Sequence, residues 1–314
     1  MTQSNTMLAQ VQEYLVFRRQ LGFTDRSSGE ELRLFARYAD KTGHSGPITT
    51  ALAVRWAKLP TNAKPMYWAW RLETVSKFAQ HRALEDPRTE VPLRGLLGRS
   101  FGRGRPHIYS DDEVKQLIAA SSKWGRGMPS LTYPTLFGLL ASTGLRVGES
   151  LGLKRCDVNL ESGVLSIIKT KSAKSRLVPL HISTIEALRE YARQRDRIWP
   201  HPKSEAFFIT LRGTGLKYWI VTTTFRKLRR QLRWPIPEGE SAARVHDLRH
   251  TFVVRVLIRW YEDGTNVDEK IIHLAAYLGH INPTSTYWYL TAIPELMALT
   301  AARFDAYSKA GGIQ

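Results

Sequence analysis

Apolar residues recur three and four positions apart through most of residues 1–86, the spacing that places them on one face of a helix. Glycine, serine, threonine or proline interrupts the pattern between the apolar stretches, as expected at helix ends. The pattern therefore predicts a compact all-helical module of four short helices. The expected starts of the second, third and fourth helices are Ser27 or Ser28, Thr49 or Thr50, and Pro65.

The periodicity is lost in residues 87–109, which are rich in glycine, proline and arginine. Such a composition is typical of a flexible linker between domains. A linker that only joined two domains would not need so many arginines, whereas one lying along a nucleic-acid backbone would. The predicted division is a helical domain in residues 1–86, a basic linker in residues 87–109 and a second domain in residues 110–314. The candidate nucleic-acid contacts in the linker are Arg99, Arg103 and Arg105.

The second domain combines helices with one predicted β-hairpin. A capping-box pattern at Ser110–Glu113 opens its first helix. Residues 163–168 and 176–180 are β-branched and apolar on either side of a polar tip that carries Lys171 and Lys174. The lysines of this tip suggest a finger that enters a nucleic-acid groove, and Lys174 is a candidate DNA contact. The later helices are expected at about 133–143, 183–197 and 222–233. The fold class that follows is mainly α with a small antiparallel β-sheet.

The charge of the chain indicates the class of its partner. Lysine and arginine number 46 against 28 aspartate and glutamate, which gives a net charge of +18. A field of this size attracts polyanions, meaning nucleic acid or an anionic membrane surface. No apolar run reaches the roughly 18 residues of a membrane span, and the first residues lack the order of a secretion signal. Nucleic acid is therefore the expected partner, with no membrane involved.

Two further observations extend this interpretation. The single cysteine, Cys156, excludes an intrachain disulfide and fits a reducing compartment, so the expected location is the cytoplasm, in association with the nucleoid. The helix expected at 222–233 is strongly basic, which favours contact with phosphates. Its candidate DNA-binding residues are Arg226, Lys227, Arg229 and Arg230.

Two pairs of residues are candidates for chemistry on a phosphate. Arg146 follows a glycine-broken turn, and Glu149 comes one helical turn later, at a spacing that can hold the guanidinium rigidly. His246 and Arg249 are also three residues apart, which places a titratable imidazole beside a permanent cation with five donors. Taken alone, each pair is also what a solvated surface helix would show. No Cys/His cluster has the spacing of a metal site and no nucleotide-binding glycine loop is present, so neither metal nor cofactor is expected.

Five motifs in order resemble those of the tyrosine recombinases, the phage-integrase and Xer-like family. They are Thr143-Gly144-Leu145-Arg146-x-x-Glu149, the lysine-bearing run Thr170–Leu180, His246-x-x-Arg249-His250, Leu278-Gly279-His280 and finally Tyr289. Each motif is weak by itself, but five in this order are highly specific. The helical module and the linker before them match the DNA-binding arm of that family. One departure is the segment 259–270, which looks longer than the family's usual spacing.

The resemblance implies a two-domain architecture, with an N-terminal helical core-binding domain of the SAM-like type and a C-terminal mixed α+β catalytic domain. It also implies a chemistry in which a tyrosine attacks a DNA phosphate and forms a 3′-phosphotyrosyl bond without metal or ATP. Arg146 and Arg249 would hold the phosphate oxygens, and Lys171 would protonate the leaving 5′-oxygen. The remaining implied roles are base or acid near the tyrosine for His246, a hydrogen bond to a transition-state oxygen for His280, and orientation of its neighbours for Glu149.

Two tyrosines lie near the position of the nucleophile. Tyr289 follows His280 by nine residues, which is the spacing expected by resemblance, and Tyr287 would point elsewhere if residues 285–290 are helical. Tyr289 is therefore the predicted nucleophile. The tail, Thr291–Gln314, is expected to act in assembly. Its apolar side would dock either on its own catalytic domain or, as the resemblance favours, on the next subunit of a ring of four.

The resemblance also implies the partners and the class of reaction. The expected partner is double-stranded DNA with a specific recombination site, bound by a homodimer at each site and by a homotetramer in synapsis. Other recombinases or accessory proteins are possible further partners. The favoured function is a site-specific recombinase of a mobile element, an integrase or transposase. The alternatives are an Xer-like dimer resolvase, a type IB topoisomerase-like enzyme and a catalytically silent DNA-binding accessory protein.

Overall fold

The computed structural model of the chain describes residues 6–100, 102, 104–168, 175–236, 242–280, 282, 284–292 and 296–301. The chain forms two compact units, Met1–Arg103 and Gly104–Gln314. The division falls inside the segment that the sequence assigns to a linker. Among the described residues, none of the helices is both long and apolar enough to cross a membrane.

The N-terminal unit contains four helices in its described part, as the periodicity predicts. They are α1 (Met7–Gln20), α2 (Arg26–Lys41), α3 (Thr50–Ala57) and α4 (Pro65–Ala83). Their apolar faces meet in one core, in which Phe35, Trp56 and Phe78 are almost completely buried. The predicted starts of α3 and α4 are confirmed, because Thr49 is the N-cap of α3 and Pro65 lies in the first turn of α4.

The start of α2 differs from the prediction, because its N-cap is Asp25 rather than Ser27 or Ser28. Asp25 adopts a left-handed backbone conformation with a φ of 37°. Its carboxylate accepts a hydrogen bond from Nε of Arg18 at 2.5 Å and another from the hydroxyl of Ser28 at 3.0 Å. The ion pair with Arg18 joins α1 to α2, and Ser28 supports that carboxylate instead of capping the helix.

The first part of the predicted linker packs on the N-terminal unit. The amide of Glu90 donates to the carbonyl of Ile48 at 2.8 Å. The hydroxyl of Ser76, on α4, donates to the carbonyl of Pro92 at 3.2 Å, and Val91 lies against the helical core. This stretch is therefore anchored to the helices, which its glycine- and proline-rich composition did not predict.

In the described part of the C-terminal unit, eight α-helices precede the short helical stretch at residues 296–301. They are α5 (Asp111–Ser122), α6 (Met128–Thr143), α7 (Val147–Gly152), α8 (Ile182–Ile198), α9 (Tyr218–Leu232), α10 (Asp247–Glu262), α11 (Val267–Leu278) and α12 (Thr284–Ala292). The capping box predicted at Ser110 and Glu113 is present at the start of α5. Both α6 and α9 begin earlier than predicted. Pro134 lies inside α6, although a proline usually marks the start or the end of a helix. Trp219 in the first turn of α9 is exposed, so it does not belong to the apolar face from which a helix is predicted.

The predicted hairpin is confirmed as the main part of a three-stranded antiparallel sheet. Its strands are β1 (Val158–Asn159), β2 (Val164–Ile167) and β3 (Arg176–Pro179), in the order β1-β2-β3. Leu165 pairs with Val178 and Ile167 with Arg176. Because side chains alternate between the two faces of a strand, Arg176 shares the inward face of β3 with the buried Val178. The hairpin tip with Lys171 and Lys174 lies outside the described residues.

The last helices of the chain form a cluster of their own around α10. Val254 and Leu257 of α10 pack with Leu274 of α11 and Tyr289 of α12, all of them buried. The segment 259–270, expected to be an unusually long spacer, consists of the end of α10, a turn and the start of α11. The cluster therefore holds the candidate nucleophile by packing it against α10 and α11.

The described part of the tail belongs to the same cluster. Residues 296–301 are helical, and the side chain of Leu296 is 0% exposed among the residues of its own chain. Docking of the tail on a neighbouring chain stays a prediction only for the residues after 301, which lie outside the described part of the chain.

Candidate active site

The site is built on the turn between α6 and α7. Gly144 ends α6 with a φ of +62°, and a Cβ there would lie 2.5 Å from the ring of Phe252. Only glycine combines this backbone conformation with such a close approach. The turn then brings Arg146 to the N-cap position of α7, as the sequence predicts.

Arg146 is held on two sides and is open on a third. Its Nη1 donates to Oε1 of Glu149 at 2.7 Å, and its Nη2 donates to the carbonyl of Gly279 at 3.1 Å. The Arg146 side chain keeps 36% of its surface exposed, whereas that of Glu149 keeps 8%. The predicted pair is thus a fixed and partly buried contact, with guanidinium surface left for a ligand.

Arg249 approaches the same turns from α10. Its Nη1 donates to the carbonyl of Gly144 at 2.7 Å and its Nη2 to the carbonyl of Leu278 at 2.8 Å. Burial, followed by the positive charge of Arg146, lowers the pKa of Arg249 to about 10. Arg249 still carries its charge at neutral pH, so two guanidinium groups are held around the same two turns.

Arg176 is a site residue to which the sequence assigned no role. Its Nη2 donates to Oε2 of Glu149 at 2.8 Å and its Nη1 to Oε1 at 3.2 Å, while its Nε donates to the carbonyl of Tyr277 at 2.7 Å. A Cβ on Gly279 would lie 2.6 Å from Nη1 of Arg176, so the glycine makes room for the guanidinium. Arg176 therefore joins β3, Glu149 and the turn after α11.

The shared carboxylate of Glu149 stays ionised in this setting. Burial raises the pKa of Glu149, but the hydrogen bonds and charges of Arg176 and Arg146 outweigh that effect and leave the pKa below its usual value.

The alternation of β3 was the available signal for Arg176, because it places an arginine on the inward face next to Val178. The sequence did not indicate that Glu149 is the partner of Arg176 on that face.

Replacing Arg176 by Gln is expected to cost about 3 kcal/mol of folding free energy, because it leaves the buried Glu149 with one cationic partner instead of two. Denaturant unfolding followed by tryptophan fluorescence measures the loss. The matched control is Arg193→Gln, which removes an exposed ion pair with Glu190 on α8 and should cost less than about 1 kcal/mol. Equal small losses for the two variants would show that the Arg176 contact adds nothing.

His280 is oriented by the helix of the candidate nucleophile. It follows the left-handed Gly279, and its Nδ1 lies 2.7 Å from the hydroxyl of Thr286, a fully buried residue of α12. A histidine held through Nδ1 presents Nε2 on the other side of its ring. The arrangement is suited to a hydrogen bond from Nε2 to an oxygen in the site.

The two candidate nucleophiles have different surroundings. Tyr289 is 3% exposed, and its hydroxyl lies 2.7 Å from Nδ1 of His250 on α10. Tyr287 is 38% exposed on the same helix. Tyr289 is therefore the tyrosine whose hydroxyl contacts a histidine of α10.

His250 is the second residue to which the sequence assigned no role. The sequence gave the position beside the tyrosine to His246, whose ring meets that of His250 edge to face at a centroid distance of 5.1 Å. Burial lowers the pKa of both histidines, that of His250 to about 4. Both rings are therefore neutral at pH 7. His250 immediately follows Arg249, but no pattern in the sequence indicates its contact 39 residues away.

The candidate DNA-binding residues lie on α9, in the linker segment and at the hairpin tip. On α9 the side chains of Arg226, Lys227 and Arg230 are exposed, whereas Arg229 is half-buried and donates to the carbonyl of Ala243 at 2.9 Å. Arg229 thus supports the chain before α10 and is less available to a ligand. In the linker segment Arg99 and Arg105 are exposed. Arg103, Lys171 and Lys174 lie outside the described residues.

Within the part of the chain that the structure describes, no three His, Cys, Asp or Glu side chains could hold a metal ion together.

The chain is similar in sequence and in fold to known proteins. The phage integrase family matches the chain over residues 108–295. The protein named "Putative integrase/recombinase y4rB" of Sinorhizobium fredii is 40% identical over 309 residues, which are 96% of this chain and 98% of that protein. Tyrosine recombinase XerD of Ralstonia nicotianae is 28% identical over 194 residues, 59% of this chain and 55% of that protein. The integrase of transposon Tn1549, solved with transposon right-end DNA, has a similar fold, with a TM-score of 0.70 at 17% identity over 96% of this chain and 99% of that one.

Proposed function

The chain belongs to the phage integrase family of tyrosine recombinases, which cleave and rejoin DNA, and we propose that it is the integrase of a mobile element. The observation that supports a competent site is the convergence of two guanidinium groups, Arg146 and Arg249, on the turns that precede α7 and follow α11. The helix that carries Tyr289 packs on the same α10 that carries Arg249.

The two arginines suit the charge that develops in the reaction. Attack of a phenol oxygen on a DNA phosphate increases the negative charge on the non-bridging oxygens. Guanidinium groups that are fixed beforehand stabilise this charge without rearranging during the step. We assign this role to Arg146 and Arg249, with Glu149 holding Arg146 in place and Nε2 of His280 donating to one of the same oxygens.

The covalent step joins Oη of Tyr289 to phosphorus and releases the 5′-oxygen of the next nucleotide. The leaving oxygen takes a proton, and by resemblance Lys171 supplies it. The proton of the Tyr289 hydroxyl passes to one histidine of the His246–His250 pair. Attack by a 5′-hydroxyl of a partner strand on the phosphotyrosyl bond then reverses the step and completes an exchange.

The proposed partner is double-stranded DNA with a specific recombination site. Each chain carries one predicted nucleophile, and an exchange between two duplexes breaks four strands. We therefore propose a homodimer on each site and a homotetramer in synapsis, in which the tail beyond residue 301 contacts a neighbouring chain. Recombinases of other sequence or accessory proteins are further proposed partners.

The integrase role is favoured over that of an Xer-like resolvase by the extent of the similarities. The match to the integrase/recombinase y4rB is 40% identical and spans nearly the whole of both proteins, whereas the matches to XerC and XerD proteins are 26–29% identical over 59–74% of this chain. A topoisomerase-like enzyme would use the same chemistry without synapsis. The test is a plasmid with two marked copies of the element's end sequences: an integrase exchanges the flanking markers, and a relaxing enzyme changes only the supercoiling.

DNA binding is expected to weaken steeply with salt, because exposed cations release condensed counterions when they neutralise phosphates. Replacing Arg226, Lys227 and Arg230 of α9 by Gln should reduce the slope of log affinity against log salt by roughly three at most. Binding titrations at several salt concentrations measure the slope. The control makes the same charge change on α8, with Arg189, Arg193 and Arg197 replaced by Gln. Equal slopes for the two triple variants would mean that α9 does not contact DNA.

A further inference from the structure

The hydroxyl of the candidate nucleophile has a defined nitrogen partner. Nδ1 of His250 lies 2.7 Å from Oη of Tyr289, within the range of a strong hydrogen bond. The two ring centroids are 5.4 Å apart, and Trp288 contacts both rings, at centroid distances of 6.0 Å from His250 and 5.2 Å from Tyr289. The edge-to-face contact with His246 restrains the imidazole on another side. A nucleophile, a nitrogen within reach of its proton and groups that fix that nitrogen make up the usual arrangement of an activated nucleophile.

We propose that His250, rather than His246, is the base that receives the hydroxyl proton of Tyr289 during DNA cleavage. This inference rests on the proposed function of Tyr289 as nucleophile. In the tautomer that carries its proton on Nε2, Nδ1 accepts the hydrogen bond from the phenol. As the bond between Oη and phosphorus forms, the proton moves from Oη to Nδ1, and the bond between phosphorus and the 5′-oxygen breaks. The leaving 5′-oxygen takes a separate proton from Lys171, so the step needs no further reactant.

The surroundings of His250 keep it in the form that this role requires. Burial, followed by the neighbouring His246, lowers the pKa of His250, so Nδ1 is unprotonated at neutral pH. Asp247 acts in the opposite direction, and the charges of Arg244 and Arg249 add to the lowering. A weakly basic imidazole suffices, because the phenol proton becomes strongly acidic as its oxygen bonds to phosphorus.

The contact also depends on where the last helix lies. His250 belongs to α10 and Tyr289 to α12, so the pair exists only while α12 is docked on α10. His246 is the N-cap residue of α10, one turn before His250. On this arrangement His246 acts on the tyrosine through the ring of His250, as a positioning residue.

The test compares His250→Ala, His250→Asn and His246→Ala in single-turnover cleavage of a nicked site, with DNA affinity measured alongside. Asn places an amide oxygen near the position of Nδ1, so it can accept the tyrosine's hydrogen bond but cannot take up its proton. Both His250 variants should cleave about 10²- to 10⁴-fold more slowly than the unaltered protein while binding DNA normally. Added imidazole should restore cleavage to His250→Ala, with rates that increase with the pKa of substituted imidazoles, and should not restore His246→Ala.

Three results would overturn the inference. Near-normal cleavage by His250→Asn would show that His250 only positions the tyrosine. Faster cleavage by either His250 variant would show that the contact inhibits the tyrosine in the absence of DNA. Rescue of His246→Ala by imidazole would show that His246 accepts the proton. In each case the unaltered protein still forms a covalent adduct, whereas failure of the proposed function would leave it without one.

Discussion

Tyr289→Phe is expected to abolish covalent attachment of the protein to DNA and to leave DNA binding unchanged. The substitution removes only the hydroxyl oxygen, which is the atom that would bond to phosphorus. The ring that packs against α10 and α11 remains, so the buried cluster around Leu257 and Leu274 should keep its shape. A site with a nick next to the cleavage position traps the adduct, because the short 5′-hydroxyl strand diffuses away. Denaturing gels then show the adduct as a slowly migrating band.

The matched control for this variant is Tyr287→Phe on the same helix. Tyr287 is 38% exposed against 3% for Tyr289, so its hydroxyl is outside the buried contact with His250. Tyr287→Phe should form the adduct at close to the normal rate. An adduct that persists in Tyr289→Phe and disappears in Tyr287→Phe would reverse the assignment.

Arg249→Ala is expected to reduce the rate of DNA cleavage at least a hundredfold while changing DNA affinity little. Loss of one donor to the transition-state oxygens costs about 3 kcal/mol, which corresponds to roughly a hundredfold in rate. Removal of the side chain also takes a donor from the carbonyls of Gly144 and Leu278, which hold the two turns of the site. Single-turnover cleavage and equilibrium binding, measured on the same DNA, separate the two effects.

Arg249→Lys separates the chemical role of Arg249 from its role in folding. A lysine keeps the positive charge but lacks the planar fork that reaches both carbonyls and a phosphate. We expect cleavage by this variant to remain well below normal although the protein folds. If binding and cleavage fell by the same factor in both variants, Arg249 would be an ordinary phosphate anchor.

Local patterns in the sequence predicted most of the elements that carry the site. The capping box at Ser110, the turn at Gly144 and the hairpin of β2 and β3 each depend on residues close together in the chain. Such features can be predicted because propensity and spacing act over a few residues. The position of Arg146 at the start of α7 follows from Gly144, which ends α6 two residues earlier.

The contacts that complete the site could not be predicted in this way. Arg176 reaches a carboxylate 27 residues away and a carbonyl 101 residues away, and His250 reaches a hydroxyl 39 residues away. A one-dimensional pattern contains no distances between such positions. The same limit explains Arg229, which belongs to a basic helix by composition but is held by the carbonyl of Ala243. The resemblance includes Arg176 and His250 within its motifs but assigned no role to either residue.

The proposed cleavage of DNA through a 3′-phosphotyrosyl bond at Tyr289 is the step on which all the other proposed roles depend. The most direct test traps the unaltered protein on a nicked site in the presence of EDTA, digests the adduct with trypsin and locates the DNA-bearing residue by tandem mass spectrometry. We expect the 3′-phosphate to be linked to Tyr289 and the released strand to have a free 5′-hydroxyl. A link to Tyr287, a 5′-phosphotyrosyl bond or the absence of any covalent product would contradict it.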